Sequence, residues 1–163
     1  MVTEAEILYA LASGPLSTTE IVRMTGGEID HTHQLLNQML DQNLVWPVGN
    51  NGSILRKLTL AGSVRLAQHR RMVDAITPDS AEGQILVAIL EFGRKHRRAP
   101  ASEALRRQTA IDPQTFMMAT SRLKHNGLVR DSGFFESAVI TWTHTSIGRY
   151  CAERLQEQVS ARA

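Results

Sequence analysis

Apolar residues in the amino-terminal part of the chain recur at helical spacing, and turn or capping residues separate the segments. The spacing predicts a helix over residues 4–12, which the Gly14-Pro15 pair ends. Ser17-Thr18-Thr19-Glu20 has the pattern of a capping box and predicts a second helix to about Met24. A third helix is predicted over about residues 28–42. Its predicted buried face consists of Thr32, Leu35, Leu36 and Met39.

After the third predicted helix, the pattern changes from helical to extended. Leu44–Val48 and Ser53–Leu58 are the predicted strands of a hairpin, joined through the turn residues Gly49–Gly52. Thr59 is the predicted cap of a fourth helix that runs to about Ile76. The core positions predicted for this helix are Val64, Ala67 and Val73.

The same order of patterns occurs a second time along the chain. The matching segments are 7–11 with 85–89, 19–23 with 102–106, 39–45 with 123–129, and 59–62 with 145–148. Asn43 and Gly127 occupy the same place in the two copies, where a helix commonly ends in the left-handed conformation.

The second copy therefore has its own predicted hairpin and closing helix. Leu128–Asp131 and Ala138–His144 are the predicted strands, and Thr145 is the predicted cap of the last helix. The buried residues predicted for that helix are Ile147, Tyr150, Cys151 and Leu155. We predict a mainly α fold with small β-hairpins, of the α+β class. Its two units cover residues 1–76 and 81–163, with a linker at 77–80.

The order of elements resembles the winged helix-turn-helix of MarR/PadR-type transcription regulators. The resemblance rests on Leu-x-x-x-Gly-Leu-Val at 123–129, followed by a hairpin and Thr-x-x-Gly, and it extends over residues 4–76 and 81–157. It implies two such units in tandem. In each, the third helix would enter the major groove of double-stranded DNA and the hairpin, or wing, would contact phosphates or the minor groove.

Charge is distributed unevenly between the two copies. The whole chain has 18 Lys and Arg against 16 Asp and Glu, a net charge of +2. The net charge is −1 through Thr77, from six basic and seven acidic residues, and +3 from Pro78 onward, from twelve and nine. This sign suits a nucleic-acid partner for the second unit. Aromatic residues, at 5%, are too few for a surface that stacks single-stranded bases.

The predicted DNA contacts belong mainly to the second unit. On its third helix they are Gln114, Thr115, Ser121, Arg122, Lys124 and His125, with Asp112 as the cap before Pro113. The densest run of cations supplies Arg94, Lys95, Arg97 and Arg98, in a predicted loop between the first and second helices. This run is either a phosphate contact or a solvated surface loop.

The first unit offers a weaker set of DNA contacts. Its third helix presents His33, Gln34 and Asn37 but no Lys or Arg, and the hairpin adds Arg56 and Lys57. The two units of one chain could imitate the two-fold arrangement of a dimeric regulator. Alternatively, because carboxylates also occur on the third helix of the first unit, the chain could form a homodimer through that unit and read DNA with the second.

Several other classes of protein and site are disfavoured. The chain has no phosphate-binding Gly-rich loop and no nucleophile or metalloprotease motif, so we expect no enzyme, catalytic residue or cofactor. His31 and His33 are two positions apart and would diverge on a helix, so we expect no metal site. The longest apolar run is Ile85–Leu90, and the acidic start lacks a secretory pattern, so we expect a cytoplasmic protein without membrane contact.

The remaining distinctive side chains are assigned to the cores. Cys151 is expected to pack in the interior rather than to act as a redox sensor. Trp46 and Trp142 are expected to cover the two cores. The Met117-Met118 pair is also assigned to the core, with an exposed partner-binding patch as the alternative.

The functional prediction is a sequence-specific double-stranded DNA-binding protein, such as a prokaryotic, phage or plasmid transcription regulator. The second unit would make the main contacts. The alternative is a tandem winged-helix adaptor that binds a protein partner, similar to accessory subunits of chromosome-condensation complexes, with little affinity for DNA.

Overall fold

A computed structural model describes residues 1–133 and 139–163. The described chain is mostly helical, with two small antiparallel sheets, and belongs to the α+β class. Its internal contacts divide it into two compact units, Met1–Met72 and Val73–Ala163. Among the described residues, no helix combines the length and apolar character needed to cross a bilayer.

The first unit contains three helices, a hairpin and most of a fourth helix. In chain order the elements are α1 (Glu4–Leu11), β1 (Leu16–Ser17), α2 (Thr18–Thr25), α3 (Ile29–Asp41), β2 (Val45–Asn50), β3 (Ser53–Leu58) and α4 (Leu60–Asp74). The three strands form an antiparallel sheet in the order β1-β3-β2.

Capping residues fix where the first helices begin. Ser17 Oγ accepts a hydrogen bond from the Glu20 backbone N at 3.2 Å, and Ser17 N donates to Glu20 Oε2 at 2.7 Å. The predicted capping box is therefore confirmed. A second one, between Thr3 and Glu6, starts α1.

The hairpin of the first unit has a tighter turn than the sequence pattern predicted. The strands continue to Asn50 and from Ser53, so only Asn51 and Gly52 form the turn. Both have a positive φ, 43° and 88°, as a two-residue type I′ turn requires. The predicted four-residue loop was wrong because Gly49 and Asn50 still pair with β3, which leaves Asn51-Gly52 alone as the turn.

The core of the first unit confirms the face predicted for α3 and corrects α4. Thr32, Leu36 and Met39 are buried, and Leu35 is half-buried. On α4, Val64 and Ala67 are exposed, although Val73 is buried as expected. The α4 prediction failed because the helix packs through the face of Gly62, Leu66 and Val73, whereas Val64 and Ala67 lie on other faces.

The second unit repeats the order of helices and hairpin. Its elements are α5 (Ala81–His96), α6 (Ser102–Thr109), α7 (Pro113–His125), β4 (Val129–Asp131), β5 (Trp142–His144) and α8 (Ser146–Arg162). β4 and β5 pair antiparallel, and Ala101 forms a bridge with Thr141.

Two predictions for the second unit need correction. The strand predicted over Ala138–His144 is shorter, since β5 begins at Trp142, and Ala138 itself lies outside the described residues. Tyr150 on α8 is 67% exposed, whereas Ile147, Cys151 and Leu155 are buried as predicted. Ile147, Cys151 and Leu155, spaced four residues apart, form the face of α8 that packs inward, and Tyr150 therefore lies on the solvent side.

A hydrogen-bonded junction connects the third helix, the hairpin and the fourth helix in the first unit. Asn43 adopts φ 57° just beyond α3, as predicted, and its carbonyl accepts from Thr59 Oγ1 at 2.6 Å. Thr59 N donates to the Leu44 carbonyl at 3.1 Å, and Gly62 N donates to Thr59 Oγ1 at 3.0 Å. We call this arrangement the Thr–Gly junction.

The second unit contains the same Thr–Gly junction with corresponding residues. Gly127 has φ 72°, and its carbonyl accepts from Thr145 Oγ1 at 2.5 Å. Thr145 N donates to Leu128 O at 3.0 Å, and Gly148 N donates to Thr145 Oγ1 at 3.1 Å. The repeated sequence Thr-x-x-Gly thus corresponds to a repeated piece of structure.

Candidate nucleic-acid interface

The helix α7 is held in place by its cap and by a buried apolar face. Asp112 Oδ1 accepts from the Thr115 backbone N at 2.9 Å, and Pro113 is the first helical residue, as predicted. Hydrogen bonds from the Thr115 side chain and backbone lower the pKa of Asp112, so this carboxylate remains ionised. Phe116 and Leu123 are buried and anchor the helix.

The opposite face of α7 presents most of the predicted DNA contacts to solvent. Gln114, Ser121, Arg122, Lys124 and His125 are exposed, whereas Thr115 is half-buried. Met117 and Met118 share the exposed surface, 66% and 49% exposed, so their assignment to the core was wrong. The buried positions at 116, 119, 120 and 123 already supply the helical stripe that packs inward.

Both cations of α7 form ion pairs with carboxylates outside that helix. Arg122 Nε lies 2.6 Å from Glu82 Oε1, and Lys124 Nζ lies 2.6 Å from Asp131 Oδ2. Both cations are more than half exposed, so these ion pairs are weak and can exchange for a phosphate or a base edge. The exposed face of α7 is therefore mixed in character, with hydrogen-bonding, charged and apolar side chains.

The basic run from Arg94 to Arg98 lies at the carboxyl end of α5. The predicted loop was wrong for Arg94, Lys95 and His96, which form the last helical turn. Lys and Arg are good helix formers and are favoured where the carboxyl end of a helix carries partial negative charge, which explains the longer helix. Only Arg97, the C-cap, and Arg98 lie beyond it.

The basic run and Arg122 are associated with opposite ends of α5. Arg122 pairs with Glu82 in the first turn of that helix, whereas Arg97 caps its other end. At 1.5 Å per residue, the fifteen steps from Glu82 to Arg97 correspond to about 22 Å along the axis. A duplex that contacts both regions would span this distance.

The first unit presents fewer cations than the second. His33, Gln34 and Asn37 are exposed on α3. On β3, Lys57 is exposed, but Arg56 is half-buried. Among the described residues, the buried Nε and Nη1 atoms of Arg56 have no hydrogen-bond partner. Lys57 is thus accessible to a phosphate from solvent, whereas Arg56 is less accessible.

Two cations that the sequence analysis did not select lie on α6. Arg106 and Arg107 both pair with Glu103, at 3.3 and 3.0 Å. The i, i+3 and i, i+4 spacing of these residues was a readable signal for a charged helix surface. Hydrogen bonds from Arg106 and the charges of both arginines lower the pKa of Glu103.

In the described parts of the chain, no three His, Cys, Asp or Glu side chains are grouped so that they could hold a metal ion. Compared with known proteins, the chain matches no protein-family model and no curated protein.

Proposed function

We propose that the chain is a sequence-specific double-stranded DNA-binding protein made of two winged-helix units, acting as a transcription regulator. One observation carries the proposal. The helix α7 is capped by Asp112, precedes the β4–β5 hairpin, and exposes Gln114, Ser121, Arg122, Lys124 and His125. Such side chains are suited to base edges and phosphates.

In the proposed mechanism, α7 enters the major groove. Gln114 and Arg122 would contact base edges, because amide and guanidinium groups match the donor and acceptor pattern there. Lys124 and the basic run at the end of α5 would contact phosphates and fix the orientation of the protein. The first unit, whose α3 has no Lys or Arg, would serve for homodimer formation or a weaker second contact.

The salt dependence of duplex binding tests the phosphate contacts. The test variant is Arg97→Gly/Arg98→Ala, with Gly at 97 because the backbone there has φ 53°. If both arginines contact phosphates, the slope of log K against log salt becomes shallower by about 1.8. The control Arg65→Ala/Arg162→Ala removes the same charge elsewhere on the chain. An equal change in both variants would remove the basic run from the mechanism.

Sequence preference tests the assignment of α7. Gln114→Ala and Arg122→Ala should alter the ranking of duplexes selected from a random pool, because a lost bidentate contact costs about 1–3 kcal/mol of discrimination. Circular dichroism checks that each variant is folded. Unchanged rankings in both folded variants would contradict recognition by α7.

A second candidate function is favoured by exposed apolar side chains. Met117 and Met118 lie within the α7 surface, and Trp46 and Ile54 on the first hairpin are 55% and 62% exposed. The assignment of Trp46 to the core was therefore wrong, whereas Trp142 is buried as expected. These side chains would suit an adaptor that binds a protein partner. An adaptor would show no duplex affinity even at low salt.

A further inference from the structure

Four arginines of the second unit surround one cavity. The cavity has a volume of about 440 Å³ and lies between the carboxyl half of α5, residues 97–100, β5 and the start of α8. Arg94, Arg97 and Arg98 come from the basic run, and Arg149 comes from α8. No α7 residue is among those that line the cavity, so it is separate from the helix proposed to read bases, although Arg94, Arg97 and Arg98 are also proposed phosphate contacts.

The cavity has a strongly positive lining. None of its lining residues, all of which the structure describes, is acidic. Arg149 pairs with Glu153 at 3.2 Å, and Arg94 donates to Gln156. Within the described residues, the Arg97 guanidinium has no hydrogen bond or ion pair. Several like charges around one concavity raise the local concentration of anions.

The backbone of Arg97 ends α5 at the edge of the cavity. Arg97 adopts φ 53° and ψ 31°, a left-handed conformation that glycine would adopt more easily. Its backbone N donates to the Gly93 carbonyl at 2.9 Å, which ends α5 and turns the chain along the cavity. Ala110 ends α6 with the same backbone conformation, so at Arg97 it acts as a helix end that sets where the arginine side chains leave α5.

Apolar side chains and two hydrogen-bonded rings, Trp142 and His144, complete the lining of the cavity. Trp142 is buried, and its Nε1 donates to Ser102 Oγ at 2.7 Å. His144 Nε2 donates to the Leu86 carbonyl at 2.8 Å, and burial lowers the pKa of His144, so the imidazole is neutral at neutral pH. The indole and the imidazole are therefore each held in place by a hydrogen bond beside the arginines.

We propose that this cavity binds a small organic anion in which a phosphate or carboxylate group is joined to a flat apolar body. Guanidinium groups bind both kinds of anion through paired hydrogen bonds. The body of the ligand lies against Trp142, and the volume falls in the range of small-molecule sites. Trp142 and Arg149 line the cavity and have no part in the proposed DNA contacts, so a failure of DNA binding leaves this proposal intact.

Nuclear magnetic resonance of the full chain tests the proposal, because its two tryptophans, Trp46 and Trp142, give separate indole N–H signals. The variant Trp46→Phe assigns them. Phenyl phosphate or benzoate should shift the Trp142 signal saturably and leave the Trp46 signal unchanged. Whichever of these two anions binds more tightly identifies the anionic group that the cavity prefers. Phenol and inorganic phosphate should each bind at least about tenfold more weakly, since each lacks one half of the ligand.

Variants of the lining residues complete the test. Arg97→Gly and Arg149→Ala should each weaken binding of the tighter anion by about tenfold or more. Arg107→Ala, a matched loss of an exposed cation outside the cavity, should leave it unchanged. The Trp142 signal itself shows whether each variant is folded. The proposal is overturned if neither anion gives a saturable shift, if phenol or inorganic phosphate binds equally well, or if Arg107→Ala weakens binding as much.

Discussion

The Thr–Gly junction leaves no room for a side chain at its glycine. A Cβ atom on Gly148 would lie 1.7 Å from the Leu128 carbonyl oxygen and 2.7 Å from its carbon. Ordinary van der Waals contacts begin near 3.4 Å. In Gly148→Ala, the first turn of α8 must therefore move away from the start of the hairpin. This movement weakens the hydrogen bond from Thr145 N to Leu128 O.

The expected cost follows from two destabilising contributions and one stabilising contribution. Forcing a methyl group into a close contact costs about 1–3 kcal/mol. The weakened hydrogen bond adds up to about 1 kcal/mol, and the better helix propensity of Ala returns about 1 kcal/mol. We expect Gly148→Ala to lower the free energy of unfolding of the second unit by about 2 kcal/mol. For a unit of this size, its melting temperature should fall by about 8–16 °C.

Thermal and urea unfolding of the second unit measure this effect. In the Trp46→Phe background, Trp142 fluorescence reports the second unit alone. The matched control is Gly93→Ala on α5, where a Cβ meets nothing within 4 Å and Ala should stabilise by up to about 1 kcal/mol. If Gly148→Ala is as stable as the parent, or if both variants lose the same stability, the close approach is not what fixes the junction.

Three further predictions concern capping, pH and thiol reactivity. Ser17→Ala should lower the stability of the first unit by about 1 kcal/mol, measured by urea unfolding through Trp46 fluorescence, because the α2 cap is lost; an unchanged midpoint would contradict this. Because burial lowers the pKa of His144, the unfolded chain binds more protons, and the second unit should lose stability as the pH falls below about 6.5. Unfolding at about pH 7.5 and 5.5 should show a smaller loss in His144→Gln; equal losses would refute the assignment. Burial raises the pKa of the Cys151 thiol, so a disulfide reagent should react with it only as the second unit unfolds; rapid reaction of the native protein would be the opposite result.

Local signals in the sequence predicted much of the backbone. The capping box at Ser17, the left-handed positions at Asn43 and Gly127, and the caps at Asp112 and Thr145 all occur as expected. Each depends on a few neighbouring residues, whose short-range chemistry is the same in any fold. The order of helices and hairpins followed from these signals and from periodicity.

Side-chain burial was predicted less well. Trp46, Tyr150 and Met117 are exposed although each is a large apolar or aromatic residue. Their positions depend on which face of an element meets its neighbours, and small units have too little interior to bury every such residue. The sequence shows the periodicity of a helix more clearly than the width of its buried face.

The candidate site depends on long-range contacts that no local pattern contains. The basic run was visible as a cluster of charge, but nothing near Arg149 in the sequence indicated that α8 would bring it to the same cavity. In the same way, the pairing of Arg122 with Glu82 joins residues 40 positions apart. Such contacts follow from the packing of helices and require the tertiary structure.

Because of the Thr–Gly junction, we expect changes in the hairpin turn to disturb the helices of the unit little. In the first unit, Thr59 N donates to the Leu44 carbonyl, which joins the two ends of the hairpin far from its turn. Residues inserted between Asn51 and Gly52 would lengthen only a surface loop, at a small entropic cost. The first hairpin is consequently a place where evolution or an engineer can exchange contact residues without rebuilding the helices of that unit.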